Sequence, residues 1–510
     1  AAPPQAFQRE TGVSWGSNAI AVAPSRSADG ATRLWINSHQ PLTGPVAWYE
    51  AHLSSDEGLD VYGGLFAGSP LILHGFNQRI GWANTVNKPD LVDVFVLDVN
   101  PDNPNQYRLD GEWLDFEPGV ARIEVKLFGA LRWTFTRPLL RSKHGPVLST
   151  EHGTYALRYV GMEGIGQLEQ YYRLNQAQSL EEFLSAMRLH ALPSINYTYA
   201  DADGHIAFVY NGRFPEREAG WDWSAYLPGD RSSLIWDSIA PFDEIPQIVD
   251  PPSGFLGNAN HTPFAATTKP HNLQPADFPA EWGIETAMTN RGHRLLEQWG
   301  SDESITRDEM IAYKFDHRYS PKSQVGRLVA DLQSAELGED QILREAQEHL
   351  RGWDLDTSAD NRHAALGVIT VWRMRGSHSA PSLKAGLANL RTTAEELKRH
   401  FGRIDPEWGE VNRLRRGAVD LPVGGAPDVL RAIRGAPQDD GTLTATHGDG
   451  FMALVEWGAD GTRQAWGLHQ FGAHVTDPAA PHGTDQMEPF VNERLRPIVL
   501  GPLPEPTYSP

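Results

Sequence analysis

Between residues 18 and 260 the apolar positions alternate in short runs. "NAIAVAP", "TRLWINSH", "DVFVLDV", "IEVKLF", "WTFTRPLL" and "HIAFVYNG" read as strands, and Gly, Pro, Asn and Asp punctuate them. The first two, joined by the turn "SRSADG", predict a hairpin whose second arm ends at His39. One helical stretch interrupts the strands, "SLEEFLSAMRLH", with Ser179 and Glu182 at capping-box spacing. From about 284 to 402 the period lengthens. "ITRDEMIAYKFD", "DQILREAQEHLRGW" and "TTAEELKRHFG" repeat at helical intervals, and Gly402 ends the last. Strands return in "TLTATHG", "FMALVEW" and "RQAWGLHQF". Strands that resume after a helical insertion must rejoin the same sheets, so residues 17–510 are expected to form one large α+β domain behind a polar tail, residues 1–16. "DVNPDNPNQYRLDG" begins like an EF-hand loop but lacks the glycine at its sixth position and the glutamate at its twelfth. It is expected to be a loop running to a hairpin turn at Asp110-Gly111.

Composition narrows the function. With 510 residues, 40% apolar residues and 16 tryptophans, the chain can bury a large core. Its formal charge of -21 repels phosphate backbones and anionic lipid, so nucleic acid is not an expected partner. The absence of cysteine excludes disulfides and thiolate chemistry. No run reaches the roughly 20 apolar residues that span a bilayer, so no membrane insertion is expected. The opening "AAPPQAFQRETG" lacks the basic and apolar regions of an export signal, which would lie upstream of it.

"GVSWGSNAIAV" offers two serines as nucleophiles. Gly12-Val13-Ser14-Trp15-Gly16 spells the G-x-S-x-G elbow of α/β-hydrolases, but that elbow needs a buried strand before it and a helix after it, and neither is present. Ser17 follows a glycine and opens the first strand, which places it near the end of the strand carrying His39.

At Ser17 a likeness becomes specific. "GSNAIAVAPSRSADG", "NSHQP", "WYEAHL", "PLILHGFNQRIGWANTVN", "PDLVDVF", "GFLGNANHTP" and "PHGTDQM" resemble the β-chain of the penicillin acylase family of N-terminal nucleophile hydrolases, over nearly the whole chain. The flavour is that of acyl-homoserine-lactone acylases and cephalosporin acylases. The resemblance implies a four-layer αββα sandwich and a precursor that cuts itself at Gly16–Ser17. It also implies a small α-chain as partner, a periplasmic or secreted location, no organic cofactor and an N-acyl amide as substrate. Cleavage would free an α-amine of pKa ~7.7–8.0, able to act as base on its own hydroxyl. The same resemblance assigns the Val86 N–H and the Asn260 side chain to the oxyanion hole. It makes His39 an orienter or oxyanion donor, with Glu456 as the acid paired to it.

"PDLVDVF" resembles the calcium segment of these acylases, with Asp90, Val92 and Asp93 as oxygen donors to a structural calcium. Leu73 stands where acylases of dicarboxylic side chains carry an arginine, so a charged acyl tail would be buried without a partner. Trp48, Leu73, Val86 and Ile195 are expected to line an apolar slot instead, although core packing accounts equally for such residues. Gln40 follows His39 where several relatives are apolar, which leaves the depth of the slot open. A fatty or aromatic acyl group is expected, first of all on a homoserine lactone. The alternatives are a β-lactam acylase, a hydrolase using Ser14, and an acylase-like binding protein that never matures.

Overall fold

The strand that begins beside the candidate nucleophile, Gly16–Val22, is buried at every position. It lies between Phe255–Asn258 and Thr32–Pro41, inside a nine-stranded sheet. A strand covered on both faces reads as a nearly continuous apolar run, as "AIAV" does. The expected hairpin is present, in a register that puts Gly16 opposite His39 and Ser17 opposite Ser38. Thr32–Pro41 then pairs with Leu443–Trp457, a 15-residue strand that draws the far end of the sequence into the same sheet. The computed structural model describes residues 16–162, 164–374, 382–473 and 477–500. Ser14 and residues 1–15 of the expected tail lie outside the described residues.

A second sheet, of seven strands, packs face to face on the first. Its strands Ile80–Thr85 and Ser194–Asp201 contribute Trp82, Tyr197 and Tyr199 to a core shared with Ala19, Leu34, Ile36, Ala453 and Val455. Leu174, Phe183 and Met187, from helices Gln167–Gln176 and Leu180–Met187, join that core. The opposite face of the first sheet, through Ile20, Val22, Trp35 and Leu454, meets Leu295, Trp299 and Met310 of helices Asn290–Gln298 and Arg307–Lys314. Helices Gln324–Ser334, Gln341–Arg351, Ala364–Met374 and Leu383–Phe401 build an apolar core of their own around Leu332, Leu350, Leu366 and Leu390. A third sheet, of six strands, runs from Glu117–Phe128 to Tyr226–Pro228.

Helix Gln167–Gln176 was not expected. Its sequence, QLEQYYRLNQ, is polar, and Gln170, Leu174 and Asn175 are its buried residues, so it shows no apolar stripe and is held by what it packs on. Asn175, for instance, accepts from the Ile72 N–H at 2.9 Å and donates to the Ile72 carbonyl at 2.8 Å. At the next helix half of the expected capping box closes. Ser179 accepts from the Glu182 N–H, but the Glu182 carboxylate reaches one residue further back, to the Gln178 N–H. The Asp110-Gly111 turn forms as expected, with both residues at positive φ between strands Gln106–Leu109 and Glu112–Asp115.

Candidate active site

Strand pairing delivers Ser17, His39 and Asn260 to one place. The Ser17 hydroxyl donates to the carbonyl oxygen of Gly16 at 2.5 Å, and its backbone N–H donates to Asn260 Oδ1 at 2.7 Å. Asn260 adopts a left-handed backbone, φ 59°, two residues after the strand Phe255–Asn258 ends. Its Nδ2 donates to the carbonyl of Val86 at 2.8 Å, so the two residues expected to form the oxyanion hole are in contact. Gly16 is crowded: an added Cβ would sit 3.2 Å from each of Arg291 Nη2, Asn260 Oδ1 and His39 Nδ1. A side chain there would press on all three groups, a reason for glycine independent of backbone freedom.

Arg291 was not singled out from the sequence. It donates to the Ser17 carbonyl at 2.6 Å, to Asn18 Oδ1 at 2.9 Å and to Asn260 Oδ1 at 2.9 Å, and pairs with Asp428. Nothing in "TNRGHR" signals this, because its contacts to Ser17 and Asn18 join segments more than 270 residues apart.

His39 Nε2 faces two oxygens, Asn37 Oδ1 at 2.9 Å and Asp449 Oδ1 at 3.0 Å, which assigns the ring proton to that nitrogen. The Nδ1 lone pair then faces Gly16. Burial, with the charges of Arg291 and Lys314, brings the His39 pKa down to about 4 against the pull of Asp449, so the ring is neutral at neutral pH. Burial alone would raise the Asp449 carboxyl. Lys314 at 3.0 Å, His39 and Arg431 at 2.7 Å outweigh it and hold the carboxylate well below its usual range.

The acid expected beside His39 is therefore misassigned. Glu456 lies opposite Arg33 in the register and forms ion pairs with Arg33 at 2.6 Å and Arg307 at 2.5 Å. Asp449, opposite His39, takes that place. Glu456 was named by resemblance alone, and Asp449, between Gly448 and Gly450, lies seven residues before it on the same strand. Only the register, shifted by a bulge between Asn37 and His39, decides between them.

The calcium donors also differ from expectation. Asp90 and Asp93 are brought together, but on Arg217, whose guanidinium lies 2.9 Å from Asp93 Oδ1 and 3.5 Å from Asp90 Oδ1. Trp236 Nε1 donates to the second Asp93 oxygen at 2.6 Å, and Arg217 also donates to the Glu281 carbonyl at 2.5 Å. Burial raises both carboxyls, Asp93 to about 6, against the attraction of Arg217. Val92 opens the adjoining strand, Val92–Leu97. Among the described residues no group of three acidic, His or Cys side chains is placed to hold a metal ion. As placed, these donors fit a guanidinium and not a calcium ion.

A cleft of about 50 Å³ opens at Gly16, walled by His39, Arg291, Asp428, Arg434 and His447 among others. Trp48, Leu73, Val86 and Ile195 do not border it. Trp48, Leu73 and Ile195 belong to the core between the sheets, where Trp48 stacks on Phe66 at 4.4 Å and on His74 at 4.1 Å. Gln40 is buried opposite Gly448.

A serine hydroxyl against a glycyl carbonyl, with an asparagine amide, an arginine and a neutral histidine around it, is the equipment of an amide hydrolase, and the comparisons with known proteins agree. The sequence profile of the Penicillin amidase family matches residues 2–503, and the chain belongs to that family. It is 25% identical to the acyl-homoserine lactone acylase PvdQ of Pseudomonas fluorescens Pf-5, over 96% of this chain and 69% of the relative. It is 26% identical to the acyl-homoserine lactone acylase QuiP of Pseudomonas aeruginosa PAO1, over 88% of this chain and 55% of the relative. The fold is similar to that of a thermostable penicillin G acylase from Alcaligenes faecalis. That match has a TM-score of 0.67 and 19% identity, and covers 95% of this chain and 96% of the other. The protein is an N-acyl amide hydrolase of mixed α/β fold. Among the described residues no helix is long and apolar enough to cross a membrane.

Proposed function

We propose that this protein is an N-acyl-homoserine-lactone acylase whose nucleophile, Ser17, is released by cleavage of the Gly16–Ser17 bond. The observation that carries this reading is the Ser17 hydroxyl resting on the Gly16 carbonyl while Asn260 and Arg291 hold the backbone on either side of it. In maturation Oγ bonds to the Gly16 carbonyl carbon and the C–N bond breaks. The hydroxyl proton ends on the departing nitrogen, and water then opens the ester to leave a Gly16 carboxylate and a free Ser17 amine.

In turnover that amine takes the Oγ proton as Oγ bonds to the acyl carbon of the substrate, passes it to the nitrogen as the C–N bond breaks, and then takes a proton from the water that opens the acyl ester and returns it to Oγ. The Val86 N–H and the second N–H of Asn260 Nδ2, the one not given to Val86, stabilise the oxyanion. Neutral His39, held through Nε2 by Asn37 and Asp449, orients the site without adding charge to it. The acyl-homoserine lactone acylases among the relatives support a fatty acyl group, with β-lactam amides as poorer substrates. Helices on the outer side of each packed sheet support the four-layer αββα arrangement. A small companion chain and a periplasmic location complete the proposal.

Intact mass and N-terminal sequencing test it. The expected result is a large chain beginning Ser17-Asn18-Ala19, no cleavage in Ser17→Ala, and normal cleavage in Ser14→Ala. Hydrolysis of acyl-homoserine lactones by Ser17→Ala, or an intact Gly16–Ser17 bond in protein that turns over substrate, overturns it.

A further inference from the structure

Among the described residues the third sheet is covered on one face over its inner strands and on neither face along most of its outer hairpin. In strand order it runs Glu117–Phe128, Leu131–Ser142, Gly145–Thr150, Gly153–Tyr159, Val92–Leu97, Tyr226–Pro228. Side chains alternate across it, so the register sorts them. Leu140, Val147, Ala156 and Phe95 are aligned neighbours facing inward, packed with Tyr107, Trp223 and Leu234. The residues between them face outward. Val96, Leu148, Leu139, Phe135, Trp133 and Ile123, on four strands and with Tyr155 aligned between Leu148 and Val96, form an apolar surface with exposures from 42% at Val96 to 57% at Trp133. Single exposed apolar residues are ordinary, but a contiguous surface of this kind marks an interaction face.

The same face carries Arg137, opposite Ala121, and Arg141, opposite Glu117. Among the described residues no carboxylate forms an ion pair with either arginine. In a chain of net charge -21, an apolar face with two arginines against one glutamate, Glu117, is a local departure and sets the chemistry of what covers it.

We propose that this face docks the small companion chain of the precursor, through a segment with an apolar stripe and acidic residues for Arg137 and Arg141. The proposal rests on the maturation reading above. The length of the relatives argues for this occupant. This chain matches 69% and 67% of two full-length acylases but 96% of the solved penicillin G acylase chain, so about a third of each full-length relative is left to provide a second piece. The edge strand Glu117–Phe128 and its partner Leu131–Ser142 project beyond the inward core, and a docked segment supplies the support they lack.

The test uses protein expressed from the full coding region with a tag on the large chain. Trp133→Glu with Phe135→Glu alters the outward face, while Thr134→Glu with Thr136→Glu alters the opposite face of the same hairpin. All four positions are exposed, so the fold is expected to survive, which circular dichroism checks. The outward pair is expected to lower the small chain recovered with the large one at least ten-fold, and the opposite pair to leave it stoichiometric. In uncleaved Ser17→Ala protein, amide exchange across residues 120–139 is expected to stay slow, since the segment then covers the face in cis. That arm keeps a failure of docking distinct from a failure of cleavage. Retention of the small chain by the outward pair overturns the proposal. So does a coding region that adds no such segment, and so does a face that the same substitutions show to bind a second large chain or lipid vesicles.

Discussion

The Asn260 side chain has three partners, and each names a different consequence of its loss: the Ser17 N–H, the Val86 carbonyl and Arg291. Under the proposed mechanism Asn260→Ala removes an oxyanion donor, for which about 2.7–4 kcal/mol of transition-state stabilisation, or 10²–10³ in kcat, is the usual loss. Because the same side chain anchors the Ser17 N–H, the variant is also expected to accumulate uncleaved precursor, visible by mass. Asp449→Asn is expected to behave differently. It strips the counter-charge from buried Lys314 and Arg431, so its main effect is a loss of several kcal/mol of stability, read by denaturant unfolding.

His74 tests proton linkage at a single residue. It is fully buried, and burial lowers its pKa from 6.5 to about 3. Between those values the unfolded chain binds a proton that the folded one does not, so stability falls as the pH drops through that window. His74→Phe keeps the ring packing on Trp48 and Phe451 and removes this uptake. Between about pH 6 and 3.5 the wild type is expected to lose up to about 1.4 kcal/mol per pH unit more than the variant. Parallel pH profiles would show that the group titrates alike in both states.

At the scale of elements, what the sequence makes legible is what local periodicity encodes. The Ser17–His39 hairpin, the Asp110-Gly111 turn and the capped helix Arg307–Lys314 all carry their own signals. Helix Gln167–Gln176 carries none, since Asn175 and Gln170 hold it from outside. Partners of the candidate site divide in the same way. Ser17 and His39 are neighbours within one hairpin, whereas Asp449 and Arg291 arrive by pairing and packing over hundreds of residues. A close approach inside a sheet is equally silent in sequence. Gly63 and Gly75 lie opposite one another, and a Cβ on Gly63 would come within 2.1 Å of the His74 carbonyl oxygen. Gly63→Ala is therefore expected to displace backbone and cost at least about 1–3 kcal/mol, as overpacked cores do. Gly119→Ala, where the nearest atom is 3.5 Å away, is expected to be close to neutral. Equal unfolding midpoints for the two would contradict the close packing of the strands Asp60–Phe66 and His74–Phe76.

Across the whole molecule, Arg217 is a junction. Its side chain is fully buried and ties Asp93, on the third sheet, to the Glu281 carbonyl in the segment that packs against the second. Asp90 closes the same junction through its N–H to the Trp282 carbonyl at 3.1 Å. A fixed guanidinium here does the work that a bound divalent ion would do, holding two carboxylates whose mutual repulsion would otherwise part the layers. The protein is therefore expected to keep its Tm within about 1 °C when a chelator or added calcium is present, since a ligand that does not bind the native state adds no stability. Arg217→Gln leaves buried carboxylates without a cation, a defect of roughly 3–5 kcal/mol. Because it frees two hard oxygen donors, it is also the variant in which calcium should raise the Tm. A wild-type Tm that falls on chelation would show that an ion, and not Arg217, carries the junction.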